Sequence, residues 1–149
     1  MTDAELAYAP ATELVQLIAA KKVSPVELTR LFLDRIARLD PQLNAFLLLN
    51  HDQALEAAQA AEAAGMRGEP LGPLHGLPIP IKDTQTTRGI RTTMGSAIFK
   101  DWVPDRDAAV VERVRNAGAV ILGKTNVPEL GMVGTCENRL GAPGRNPWN

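Results

Sequence analysis

The sequence is short of the residues on which several kinds of chemistry depend. One cysteine, Cys136, stands in 149 residues, so an intrachain disulfide and a cysteine zinc cluster are both excluded. There are two histidines, His51 and His75, and no spacing connects either of them to Cys136; a cysteine hydrolase is not indicated. An excess of one charge is also missing. Sixteen basic residues against seventeen acidic leave a net charge of −1, with no pull on nucleic acid or on an anionic membrane. No apolar run is long enough to span a bilayer, and "MTDAELAYAP" lacks the basic start and apolar centre of a secretory signal. The expectation is a soluble, cytoplasmic protein that needs no metal and no cofactor.

What is present is ordinary globular material, 45% apolar and 22% charged, enough for one domain with a core. Residues 1–65 read as an N-terminal helical segment. "ATELVQLIAAKK" has Leu14, Leu17 and Ile18 at helical spacing and two lysines in its last turn. "SPVELTRLFLDRIARLDP" has Ser24 as N-cap, Pro25 at the first helical position and Glu27 completing a capping box. Leu28, Phe32, Ile36 and Leu39 form its apolar face, and Asp40-Pro41 is expected to stop it. "DQALEAAQAAEAAG" predicts a third, outlying helix that closes at Gly65.

From residue 66 to 149 the texture is α/β. The run from Leu77 to Ile81, ending at Lys82-Asp83, predicts a strand, and its alternating prolines leave one edge with no need of backbone donors. Residues 84–106 have no strong period. "DRDAAVVERVRNAG" predicts a helix capped by Asp105 or Asp107, with Val110, Val111 and Val114 inward and Gly118 at its end. "AVIL", residues 119–122, follows as a buried strand, which makes a parallel βαβ unit with the strand before it. Beyond it only a helical turn near Pro128 to Met132 is expected.

"GAVILGKT", residues 118–125, matches the phosphate-loop pattern. Its setting is wrong for that role. Gly118 closes a helix, the four intervening residues are a strand and cannot curl round phosphates, and Gly123-Lys124-Thr125 are expected to turn out of the sheet. The lysine at the strand end, Lys82, is the more promising one, because α/β proteins place their sites at the C-terminal ends of parallel strands. From the residues alone, an ion-paired or solvated lysine beside Asp83 is the simpler reading.

The blocks "GLPIPIKDTQTTRGIRTTMGS", "DAAVVERVRNAGAVILGKTNVPELG" and "ENRLGAPGRNPWN", with the opening "SPVELTRLFLDRIARLDPQLNAF", together resemble the N-terminal part of the amidase signature family. The resemblance implies N-terminal helices plus the first βαβ part of a larger mixed sheet wrapped by helices. It implies hydrolysis of carboxylic amides by a serine–cis-serine–lysine triad, with Lys82 as the triad lysine and a small-molecule amide as substrate. Gly131, Met132 and Val133, in "LGMVGTCEN", resemble residues that border the substrate. In the family the bridging serine lies in a glycine- and serine-rich loop after the block that resembles "RNPWN", and the nucleophile comes later. This sequence has only Ser24, a helix cap, and Ser96, at a position the family does not use as nucleophile. It therefore reads as one triad member of three, and as inactive by itself. Gly141 and Gly144 stand where the family has an aromatic and a threonine, which points to a more flexible stretch.

Two other readings stay open. One is a truncated, non-catalytic relative that binds a partner or forms a homo-oligomer through an exposed sheet edge, since two parallel strands make no stable sheet. The other is part of a tRNA-dependent amidotransferase subunit, which belongs to the same family.

Overall fold

The Ser24 cap forms as the sequence predicts. In the computed structural model, which describes residues 1–148, Ser24 Oγ accepts from the amides of Val26 and Glu27, and Glu27 accepts from the Ser24 amide. Asn149, the last residue of the "RNPWN" block, lies outside the described residues. Two short helices precede the cap. The first, α1 (Asp3–Tyr8), opens on a Thr2–Glu5 capping box. Its Tyr8 hydroxyl accepts from Arg35, whose guanidinium lies 4.8 Å from the Tyr8 ring centroid. The second, α2 (Ala11–Ala19), stops before its two lysines. Lys21 takes φ 55° and the Lys22 amide reaches back to Leu17 O, a left-handed closure that uses the last carbonyls.

Helix α3 (Pro25–Leu43) runs through Pro41 instead of ending there. A proline late in a helix costs a single backbone bond, and the exit is made one turn on. There Asn44 adopts the left-handed conformation, its amide bonds Asp40 O, and Asp40 Oδ1 accepts from Ala45 N. The next residues form strand β1 (Phe46–Leu49), which the unalternating "FLLL" did not announce. Helix α4 (His51–Arg67) passes Gly65 and closes on left-handed Gly68.

Strand β2 (Pro78–Lys82) and strand β3 (Val120–Thr125) are parallel, joined across helix α5 (Ala109–Asn116). The expected crossover unit is present, and β1 adds to it antiparallel, giving the order β1-β3-β2. Neither aspartate caps α5. Ala108 stands at the cap without a side-chain bond, while Asp107 accepts from Arg88 N and pairs with Arg115 at 3.0 Å. Val111 is fully buried, but Val110 is half exposed, because eight residues leave room for only one inward stripe.

Three apolar clusters hold these elements. Val120 and Leu122 of β3 pack with Val26 and Leu33 of α3 and Ala54 and Ala58 of α4. On the other face Ile121 packs with Ile81, Ile90 and Val111. Leu14 and Ile18 of α2 meet Leu28 and Leu77. Two glycines of "GAVILGKT" have structural duties here. Gly118 sits at φ +90° in the turn out of α5, and Gly123 lets β1 approach so closely that a Cβ would collide with Leu48 O.

The sheet is irregular where it matters most. Ile79 pairs with Ile121 but Pro80 pairs with Gly123, so β3 carries an extra residue, a β-bulge, at Leu122. Strict alternation would put Lys124 on the face of Val120 and Leu122. The bulge instead sets it opposite Ile81, on the α5 face. Gly123-Lys124-Thr125 therefore stay in the sheet, contrary to the turn expected of them. At the other edge, Leu77 O and Asp83 N bond to β3, which directs Pro78 and Pro80 to the open side, where neither offers an N–H.

Candidate active site

Lys82 is the last residue of β2, paired in register with Thr125 and exposed to solvent. It lies opposite in parity to Ile81, on the face of Pro78 and Pro80, because strand side chains alternate. An apolar cleft of about 260 Å³ opens on that face between α3 and the sheet, lined in part by Phe32, Ile36, Pro78, Pro80 and Leu122.

The chain after Lys82 is held tightly. Asp83 is 1% exposed, and its amide bonds Thr125 O, which continues the parallel ladder by one residue. Its Oδ2 accepts from both the amide and the hydroxyl of Thr93, and its carbonyl accepts from Met94 N. The Gln85 amide turns back to Lys82 O at 2.9 Å. Residues 84–96, the first part of the stretch without a strong period, are thus an ordered loop built on local hydrogen bonds and buried threonines.

Lys124 is the residue that sequence reasoning set aside and the structure brings back. It is 0% exposed, and its three N–H donors go to Gln85 O at 2.6 Å and to Thr87 Oγ1 and Thr92 Oγ1 at 2.9 Å each. The two hydroxyls pass their own protons on to Gln85 O and Ile90 O. Asp83 Oδ1 lies 3.6 Å from the ammonium, an ion pair beyond hydrogen-bond length, and makes no hydrogen bond of its own. Burial pushes the Lys124 ammonium down to about 8, against the opposing pull of Asp83 and, last among the causes, of Asp107. With every donor engaged, Lys124 has none left for a phosphate. The only sequence signal for this role was an ionisable residue in an otherwise apolar strand.

The three expected lining residues are divided. Gly131 lies against the loop after Lys82, since a Cβ there would be 3.2 Å from Thr84 Cγ2. Its neighbour Leu130 donates its amide to Met94 O. Met132 and Val133 project into solvent at 79% and 61% exposure. Ser96 is buried with its hydroxyl given to Glu129 at 2.7 Å, and Ser24 is spent on its cap, so neither is free to act as a nucleophile. Cys136 is exposed, while His51 contacts Asp52 and His75 contacts Ala61 O. Gly144, expected to loosen its stretch, is tied to Cys136 O, and Arg145 N to Leu43 O. Among the described residues no group of acidic, histidine or cysteine side chains could hold a metal ion, and no helix is long and apolar enough to cross a membrane.

Comparison with known proteins gives a consistent answer. The amidase family model matches residues 27–149. A glutamyl-tRNA(Gln) amidotransferase subunit of Acidothermus cellulolyticus is 52% identical over 93% of this chain and 28% of its own length. The corresponding protein of Moorella thermoacetica is 47% identical over 97% of the chain and 30% of its length. Among solved structures, a bacterial aryl acylamidase of the amidase signature family superposes with a TM-score of 0.88 at 35% identity, over 95% of this chain and 30% of that one. The chain spans under a third of the length of these relatives. From the matched family model, the three-stranded mixed sheet wrapped by helices and the likeness to a solved member, this chain belongs to the amidase signature family.

Proposed function

We propose that this chain supplies the lysine base of an amidase, with Lys82 in that role, and that the nucleophilic and bridging serines lie outside these 149 residues. The observation that carries the reading is the placement of Lys82. It ends a parallel strand, at the sheet end where α/β sites form, and the loop that follows it is fixed on both sides by hydrogen bonds.

The chemistry balances with these parts. A neutral Lys82 takes the proton of the bridging serine as that serine takes the proton of the nucleophile. The nucleophile's oxygen bonds to the amide carbon, and backbone N–H groups hold the developing oxyanion. The C–N bond then breaks and the nitrogen leaves as ammonia or amine, carrying the proton back from Lys82. Water cleaves the resulting acyl ester to release the acid. A lysine acts as a base only in its neutral form, which burial favours, so on this proposal the serine-bearing part of the protein covers Lys82.

A second reading is favoured by a specific observation. Relatives at 41–52% identity carry the name of a glutamyl-tRNA(Gln) amidotransferase subunit. On that reading the same bond is broken, and the ammonia passes to a glutamyl group held on tRNA, whose carboxyl must first be activated by a phosphoryl donor so that the ammonia displaces phosphate. The net charge of −1 gives this chain no evident part in holding the tRNA.

The test is the reading frame past position 149 and the activity of its complete product. A serine- and glycine-rich block there, with amide hydrolysis that Lys82→Met abolishes, supports the proposal. A frame without such a block ends it. Ammonia transfer to glutamyl-tRNA in the presence of further subunits, missing from the isolated product, selects the second reading.

A further inference from the structure

Lys82 is exposed, carried on a flexible stem, and useful as a base only if its backbone is held still. What holds it can be traced bond by bond. The Lys82 carbonyl accepts from the Gln85 amide, and the Gln85 carbonyl accepts from the Lys124 ammonium at 2.6 Å. Two hydrogen bonds therefore join the buried lysine of β3 to the backbone of the exposed lysine of β2. Thr87 and Thr92 give Lys124 its other two acceptors, one from each limb of the loop, so one ammonium draws three points of the loop together. Asp83, the residue next to Lys82, faces the same charge at 3.6 Å and is itself anchored by Thr93.

We infer that Lys124 is a positioning residue for Lys82, acting through Gln85 and Asp83 to fix the backbone at the end of β2. The inference rests on the amidase reading for what Lys82 does, and on geometry for how Lys124 holds it. The charged groups that bear on Lys124 are Asp83 and, at longer range, Asp107. Its cage of one carbonyl and two hydroxyls suits a tetrahedral ammonium and not a planar guanidinium. An apolar residue of equal length would take the donor from Thr87 Oγ1 and Thr92 Oγ1, leave Gln85 O with the Thr87 hydroxyl alone, and leave the buried Asp83 carboxylate without its cation.

The experiment has two arms. In the 149-residue chain, amide hydrogen exchange is compared for Lys124→Met, Thr92→Val and Thr92→Ser. Valine keeps the shape of threonine and loses its hydroxyl, whereas serine keeps the hydroxyl. The expected result is at least tenfold faster exchange at Gln85, Thr93 and Met94 in the first two variants. The helix amides of Leu28 and Ala54 stay unchanged, and Thr92→Ser behaves as wild type. Uniform acceleration over the whole chain, or Thr92→Val matching wild type, overturns the hold.

In the complete product of the reading frame, an acyl anilide serves as probe. Lys124→Met and Thr92→Val are expected to lower kcat at least tenfold with KM within twofold, and Thr92→Ser to restore it. Activity that depends on Lys82 but not on Lys124 overturns the inference alone. Activity indifferent to Lys82→Met, or no hydrolysis at all, overturns the amidase reading and the positioning role with it.

Discussion

Lys124 of β3 stands opposite Ile81 of β2 and directs its ammonium toward Asp83, 3.6 Å away, the residue that follows Lys82. A buried cation thus sits behind the strand end while the exposed lysine stands in front of it. This arrangement, and the fold that creates it, have consequences that can be measured.

Stability should depend on Lys124 in alkaline solution. The folded chain releases this proton at about 8, and the unfolded chain near the ordinary 10.5. Between those values the unfolded state binds more protons, so stability rises with pH, by up to about 3 kcal/mol. Below pH 8 the penalty of the buried charge is fully present. Urea unfolding of wild type and Lys124→Met at pH 7 and pH 10 measures it: the difference between the two should move in favour of wild type as pH rises. A constant difference would show that Lys124 keeps an ordinary affinity for its proton.

Lys82→Met should leave stability within about 0.5 kcal/mol, because the side chain is exposed and makes no ion pair or side-chain hydrogen bond among the described residues. In the complete product the same change should lower amide hydrolysis by about 10²–10⁴-fold. Loss of fold in the thermal melt of the 149-residue variant would contradict the first expectation.

Ser24→Ala should cost about 1 kcal/mol, since it leaves the Val26 and Glu27 amides without their cap. It should leave hydrolysis untouched. A fall in kcat out of proportion to the loss of stability would mean that the cap has a second role.

Gly123→Ala drives a methyl group into Leu48 O, on the backbone of the neighbouring strand. Neither strand can move aside without breaking the β1–β3 ladder, so a loss of at least about 2 kcal/mol is expected in urea unfolding. A chain that tolerates alanine there would place β1 farther from β3 than described.

Pro80→Val restores an N–H to the open edge of β2 and should promote pairing between copies. Sedimentation velocity over a range of concentrations should detect added dimer. An unchanged profile would mean that the prolines are not what keeps this edge unpaired.

Much of this molecule can be read without a structure, wherever the determining interactions are local. The Ser24 box, Pro25 and Glu27 predict the start of α3 because all three act within four residues. The prolines of "PIPIK" mark an edge strand that ends at Lys82, since a missing N–H is a property of the residue itself. The linked blocks from Ser24 to Asn149 carry the family resemblance. Local rules also misled at several points. Pro41 did not stop α3, because Asn44 and the Asp40 carboxylate made a better exit one turn later. "FLLL" showed no strand period, because all four residues of β1 are partly covered.

The role of Lys124 lay outside local rules altogether. In "VILGKT" its parity assigns it to the apolar face shared with Val120 and Leu122, where a lysine has no partners. The bulge at Leu122 reverses that parity, and a bulge is a relation between strands, set by how β1 and β2 register on β3. Asp83, Gln85, Thr87 and Thr92 lie 32 to 41 positions from Lys124 in the chain, and only the parallel crossover brings them around its ammonium. The start of α3, the parallel crossover through α5, the edge strand that ends at Lys82 and the family were legible in the residues alone. Which lysine is buried and which is exposed was settled in three dimensions, because burial depends on register across strands, and register is not a property of any single segment.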